Sequence, residues 1–233
     1  MRLAIVTLIS LLGLTAFGAP PPAALPKKPT VAILYFDDND QGGDLSVLKK
    51  GLAQMLITDL VGHPSVSLVE RARMQEIFEE LKLNETKKVD PATAVKVGKL
   101  LGAQYVMIGA YFVLANQMVI SSRLIDVATS DTMSSVRVQG APDNFFDLEG
   151  ELSAKLSLMF SSKVPAREAP AKEGTAPSTR PKKSNVKVAL GYSRALDALD
   201  KKDKKGAKKM LEDVLAEQPD FVLASLDLAA LVK

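Results

Sequence analysis

The feature that most constrains this chain is the stretch from Gly98 to Val127. It starts as the end of a helix and becomes a β-rich run from Gln104 to Leu114. It turns at Ala115-Asn116-Gln117 and returns as a second run from Met118 to Val127. Both alternating faces of the first run are apolar: Val106, Ile108, Ala110, Phe112 and Leu114 on one, Tyr105, Met107, Gly109, Tyr111 and Val113 on the other. A strand with no polar face belongs in the middle of a sheet, covered on both sides. The return run is mixed, with Ser121 and Arg123 on the face opposite Ile120, Ser122 and Leu124, so it sits nearer the edge. The hairpin is a scaffold and carries no catalytic constellation.

The segments on either side fit a layered α/β domain. Thr30 to Phe36 reads as an inner strand, and Val66 to Val69 as a second, short one. Between them Leu45, Leu48, Leu52, Met55, Leu56 and Leu60 recur at helical spacing up to Gly62-His63-Pro64. Met74, Ile77, Phe78 and Leu81 mark the buried stripe of another helix, and residues 82–90 are polar. Asp90-Pro91 supplies an N-cap and a first-turn proline for a helix over 91–101, which Gly102 ends. A third β run spans Thr132 to Val138. Asp143 caps a last helix whose apolar face is Phe146, Leu148 or Glu149, Leu152, Leu156 and Phe160. The order predicts an α/β fold: a mixed β-sheet with helices packed on it.

Composition closes off several chemistries. At 233 residues and 47% apolar content the chain can bury a sizeable core. The absence of cysteine removes disulfides, thiolate zinc sites and thiol nucleophiles. With His63 the sole histidine, a histidine-rich metal site is excluded, and the Gly62-His63-Pro64 context reads as a plain loop. Charge is nearly balanced, 30 Lys+Arg against 27 Asp+Glu, and the basic surplus beyond residue 161 falls far short of a nucleic-acid stripe.

The ends define the remaining units. Met1-Arg2, the apolar run Leu3–Leu14 and Ala16-Phe17-Gly18 form a signal peptide over residues 1–18, too short for a span of ~20 residues. A Pro-rich lead-in follows over 19–29, and the α/β domain occupies 30–160. Residues 161–184, rich in Pro, Ala, Lys and Glu, read as a disordered linker. Beyond it, 185–233 read as a small all-α module: helices over Val186–Asp200, Lys204–Gln218 and Phe221–Val232.

Two resemblances follow from these residues. Leu52-Ala53-Gln54-Met55-Leu56-Ile57-Thr58-Asp59-Leu60, Val69-Glu70-Arg71-Ala72-Arg73-Met74, Val89-Asp90-Pro91-Ala92-Thr93-Ala94, Gly98-Lys99-Leu100-Leu101-Gly102-Ala103, Gly109 and Arg123-Leu124-Ile125-Asp126-Val127 stand in order. This set resembles the periplasmic domain of the CsgG family, a domain similar to those of LpoB, FlgO and the TolB amino-terminal domain. The resemblance implies a non-enzymatic, periplasmic or outer-membrane-associated envelope protein. Its partners would be envelope or secreted proteins or a second copy of itself, with no nucleic acid and no transmembrane segment once the signal is removed. The curli channel of that family is a lipoprotein with pore hairpins. This chain has no acceptor cysteine, and its connectors 37–44, 82–90 and 139–143 are too short and polar for strands of ~9–11 membrane-spanning residues. A ring-forming outer-membrane secretion channel component is therefore the alternative reading. Residues 188–221 resemble one tetratricopeptide repeat and the start of another. Ala195, Ala207, Leu211 and Pro219 stand at the repeat's small, large and closing positions, and Tyr192, Ala195, Leu199, Ala207 and Leu211 are the partner-binding candidates.

Other candidates have simpler readings. Asp37-Asp38-Asn39-Asp40 lacks the spacing of a calcium loop and reads as a solvated loop. Glu70-Arg71 reads as a helix N-terminus with its acid facing the dipole. Lys201-Lys202-Asp203-Lys204-Lys205 reads as a solvated corner without aromatic residues for base stacking. Gly98–Gly102 is not a phosphate loop, because it precedes a strand where that fingerprint follows one. Glu79-Glu80 and Glu149 with Glu151 lie on helices with a solvent face. No catalytic, cofactor or metal site emerges, and the expected activity is protein–protein binding in envelope assembly or secretion.

Overall fold

The computed structural model describes residues 28–39, 44–83, 89–164 and 186–232. The signal-peptide reading, the lead-in up to residue 27, Asp40–Gly43 and residues 165–184 of the linker reading lie outside them. The elements are β1 (Thr30–Ile33), β2 (Asp37–Asp38), α1 (Leu48–Leu60, preceded by a 3-10 turn at Asp44–Val47), β3 (Ser67–Leu68), α2 (Arg71–Glu80) and α3 (Pro91–Leu101). Then come β4 (Tyr105–Leu114), β5 (Gln117–Asp126), β6 (Thr132–Gly140), α4 (Phe145–Lys163), α5 (Val186–Asp200), α6 (Lys204–Glu217) and α7 (Val222–Leu231).

The strands form one mixed sheet in the order β3-β1-β4-β5-β6, with β2 also pairing to β4. β1, β2 and β3 run parallel to their neighbours, while β4, β5 and β6 are antiparallel. The doubly apolar run is thus central, as its pattern requires, and its return run lies between it and the edge. One side of the sheet carries Met107, Tyr111, Met118, Ile120, Leu124 and Val138, all buried beneath α1 and α4. The Tyr111 hydroxyl reaches across that layer to donate to the Leu45 carbonyl at 2.8 Å.

The other side is covered by α3 over β4. Helix and sheet come close because Gly98 has no side chain: a Cβ there would stand 2.5 Å from Val106 Cγ1 and 2.8 Å from Val127 Cγ2. α3 itself is set as its sequence predicts. The Asp90 carboxylate accepts from Thr93 N at 2.8 Å, Pro91 opens the first turn, and Gly102 closes the helix at φ 67°. Beyond α3, the same side of β5 and β6 is open.

Several boundaries differ from the sequence reading. The strand expected over Thr30–Phe36 breaks after Ile33. Ile33 pairs with Met107 and Asp37 with Ala110, four steps against three, so one residue bulges between β1 and β2. Asp37 and Asp38 are therefore half-buried strand residues rather than a solvated loop. Asp143 does not cap α4; it sits in a 3-10 turn at Pro142–Asn144, and α4 starts at Phe145 without a side-chain cap. α4 continues to Lys163, which takes the first residues from the expected linker.

The hairpin turn is shorter than its three-residue reading. Leu114 pairs with Gln117, leaving Ala115 and Asn116 at φ 49° and 58°, the left-handed pair of a two-residue hairpin turn. Asparagine tolerates that region; alanine pays a Cβ–carbonyl clash. Ala115→Gly is expected to stabilise the protein by about 1 kcal/mol, read as a higher urea midpoint at unchanged slope.

Candidate interaction surfaces

Two regions present chemistry to a partner or to another part of the chain. The first is a cavity of about 640 Å³ on the open side of the sheet. Its floor is Ile108, Ala110, Ser121 and Arg123, its outer margin Ser135 and Arg137, and its far wall Asp37, Asn39 and the Val89-Asp90-Pro91 start of α3. The β5–β6 register places Ser121 opposite Arg137 and Arg123 opposite Ser135, all four exposed. Across the cavity Asp37 accepts from the Val89 N–H at 3.3 Å. Bonds from the Thr93 backbone and hydroxyl hold the Asp90 carboxyl below its usual range, so it is ionised at neutral pH.

At the end of the β4–β5 hairpin the tip projects Leu114, 71% exposed, beside half-buried Phe112 and Val113. A second exposed apolar set lies on α7 and its C-cap, where Val222, Leu226 and Val232 face outward while Leu223 and Ala224 are buried.

The second region is where α5 lies on α1. Gly51 permits the approach: a Cβ there would fall 1.9 Å from Ser193 Oγ. Beside it five charged side chains and a phenol form one network. Lys50 Nζ lies 2.9 Å from both Asp197 Oδ1 and Asp200 Oδ2. Arg71 Nη1 donates to both Asp200 oxygens at 2.9 Å and to the Tyr35 hydroxyl at 3.2 Å, and that hydroxyl donates to Gln75 at 2.7 Å. Lys50, Asp200 and Arg71 are 10% exposed or less. Burial pushes the Tyr35 phenol up to about 12, outweighing the adjacent Arg71, so it stays a neutral donor. Burial alone would raise Asp197, but the bonds from Lys201 and Lys50 reverse that and hold it below its usual range.

The five partner-binding candidates stand mostly inside the molecule. Tyr192, Ala195, Ala207 and Leu211 are fully buried, and Leu199 is partly so. Tyr192 packs edge-on against Phe221, 5.0 Å between centroids, and donates to Asp227 Oδ2 at 2.9 Å. Their helices pack within their own chain, α5 on α1 and α6, and α6 on α5 and α7.

Other sequence candidates are also relocated. Arg71, read with Glu70 as a plain helix start, instead anchors α5, and Glu70 makes no side-chain cap. Glu149 is buried on α4, because that helix is enclosed over a wider arc than one stripe; Glu151 is exposed and pairs with Lys155 at 2.8 Å. The lysine corner is exposed as expected, with Asp203 capping α6 through Gly206 N at 2.9 Å. No group of three or more His, Cys, Asp or Glu gathers at metal-binding distance among the described residues.

His63 is a buried joint rather than a plain loop residue. Its Nδ1 accepts from the Ser65 N–H at 3.2 Å, so the proton sits on Nε2, which donates to the Ser157 carbonyl and hydroxyl at 3.2 and 3.1 Å. That tautomer cannot take a proton from Ser157, and the pair is no nucleophile–base dyad. Burial lowers the His63 pKa, outweighing the Ser157 bond.

The sequence signal for the α1–α5 contact was absent: the partners are 129 to 150 positions apart and belong to ordinary-looking solvent faces of their helices. The sequence marks Arg123 and Ser121 as the polar side of the return run, but only the β5–β6 register shows that Arg137 and Ser135 join them.

The family model described as "Curli production assembly/transport component CsgG" matches residues 19–122. A curated protein of Rhizobium meliloti (strain 1021), "Putative adenylate cyclase 3", is 24% identical over 215 residues, covering 91% of this chain and 34% of that protein. The chain thus spans about a third of that relative's length. Among solved structures, the LpoB C-terminal domain from Salmonella enterica is 15% identical, with a TM-score of 0.39 over 51% of this chain and 87% of its own. Lipoprotein GNA1162 from Neisseria meningitidis is 11% identical, with a TM-score of 0.42 over 58% of this chain and 99% of its own.

Two outcomes follow from these environments. Asp200→Asn leaves two buried cations short of a charge partner and is expected to lower stability by about 3 kcal/mol in urea titration. A histidine held neutral in the folded state binds its proton less readily than in the unfolded chain. Its contribution is therefore complete above pH ~6.5 and is lost as pH falls below that value. The urea midpoint should drop between pH 7.5 and 5.5, and in His63→Gln that drop should shrink.

Proposed function

We propose that this chain is an exported, non-enzymatic cell-envelope protein that acts by binding other proteins in envelope assembly or secretion. The family match over residues 19–122 carries the reading, because it covers all but the last, Arg123–Val127, of the ordered motifs that resemble the CsgG domain. In the proposed organisation residues 1–18 are an export signal, 30–160 are the CsgG-like domain, and 185–233 are a tetratricopeptide-like unit. The burial of small Ala195 and Ala207 supports the last, since such repeats need close helix approach there. The periplasm, or the inner face of the outer membrane, is the proposed location.

The surfaces suit such a role. The Leu114 tip and the outer face of α7 present exposed apolar side chains, as docking patches do, and the open sheet side presents a polar, cationic one. Ring formation with a pore is the weaker reading: β4 and β5, each ten residues, have the length a barrel strand needs, but both are inner strands of the sheet. The cyclase activity in the Rhizobium protein's name belongs to a chain of which two thirds lies outside the match.

The test is site-specific photo-crosslinking in the native host, with the photoreactive residue at Leu114 or Leu226 and a control at exposed Lys209. Discrete adducts with envelope proteins at Leu114 or Leu226, absent at the control, are expected. A strictly monomeric purified protein that gives no adduct at either position would refute the reading.

A further inference from the structure

The open side of β5 and β6 carries a checkerboard. Ser121 faces Arg137 and Arg123 faces Ser135, so the two arginines lie on one diagonal and the two serines on the other. Diagonal neighbours on paired strands are about 7 Å apart. In an extended peptide, side chains at i and i+2 point the same way and stand about 6.8 Å apart. The arginine diagonal therefore matches the side-chain repeat of a single extended strand.

Charge says what that strand carries. Neither Arg123 nor Arg137 makes a salt bridge among the described residues, whereas the buried cations Lys50 and Arg71 do. Guanidinium forks bind carboxylates in paired hydrogen bonds, and a serine hydroxyl beside each can donate to the same oxygens. On the far wall of the cavity, Asp37 and Asp90 are engaged by Val89 and Thr93. The Asp90 carboxylate disfavours further acids beyond the diagonal.

We propose that Arg123 and Arg137, with Ser121 and Ser135, dock an extended segment of a partner protein bearing two acidic residues at i and i+2. The segment crosses from the β6 edge toward the start of α3. The proposal rests on the protein-binding reading above and names the partner chemistry of one of its surfaces.

The experiment places a photoreactive residue at Gln139, exposed on the same side of β6, in the full chain in its native host. Crosslinked peptides are sequenced by mass spectrometry. Adducts should contain an i, i+2 pair of Asp or Glu. Their yield should fall at least tenfold in Arg123→Gln/Arg137→Gln and be largely kept in Arg123→Lys/Arg137→Lys. Both pairs are exposed, and an unchanged urea midpoint checks that the fold is intact. A synthetic peptide of the captured segment should bind the purified chain by fluorescence anisotropy, at least tenfold more weakly when its acids are changed to Gln. Adducts lacking the acidic pair, or adducts indifferent to the arginines, overturn the proposal. So does displacement of the peptide by millimolar inorganic phosphate, or arginine-dependent sedimentation with phosphatidylglycerol vesicles, since either assigns the site to a free or lipid-borne phosphate. Adducts at Leu226 but none at Gln139 sink this site alone. None anywhere sinks both readings.

Discussion

The constraint on which the rest depends is that β4 has no polar side. Burying Val106 and Ile108 on one face and Met107 and Tyr111 on the other demands a layer of protein on each side of the sheet. α1 and α4 supply one layer. The other is a single helix, α3, brought close by Gly98, and one helix of eleven residues does not reach across β5 and β6. The open side of those two strands follows from that shortfall. So does their composition, which turns polar on the side left bare and stays apolar on the side that α4 covers.

A different interaction fixes the carboxyl-terminal helices. α5 could lie on α1 through apolar contact alone, and such contact is non-directional. The Lys50–Asp200–Arg71 chain adds direction, because two buried cations accept one carboxylate between them only in a narrow range of helix positions. Such a network contributes little net stability after its desolvation cost, while breaking it leaves a buried charge without its counter-ion. Its effect is to set where α5 sits along α1. Tyr192 then reaches Phe221 and Asp227, so α7 is positioned through α5 rather than by the sheet.

How far the sequence spoke for itself depends on the range of the interaction. The Asp90–Thr93 cap, the Gly102 stop and the doubly apolar run of β4 are local, and each is legible. The left-handed Ala115 was not, because alanine gives no sign of a positive φ; the turn length emerges from the pairing of Leu114 with Gln117. Asp143 looked like a cap but was displaced when a 3-10 turn took its place. His63 looked like a turn residue because the polar groups that enclose it come partly from Ser157, far along the chain. For the same reason the partner-binding candidates on α5 and α6 could be assigned to a repeat pattern but not to an inside or an outside.

The arginine diagonal shows how a surface can be dictated by a core. In a β-strand a shift of one residue exchanges the two faces, so the register that buries Ile120, Leu124 and Val138 also determines where Arg123 and Arg137 point. A slip would drive both guanidiniums beneath α4, into the layer now filled by Ile120, Leu124 and Val138. The hydrophobic layer therefore enforces the pairing with energy the surface residues do not have to supply. The bulge falls outside the quartet: Leu124 pairs with Ser134 and Ile125 with Thr132, which leaves Met133 of β6 as the extra residue. The four residues thus lie on regular, in-register ladder, and their spacing is as rigid as the sheet beneath them.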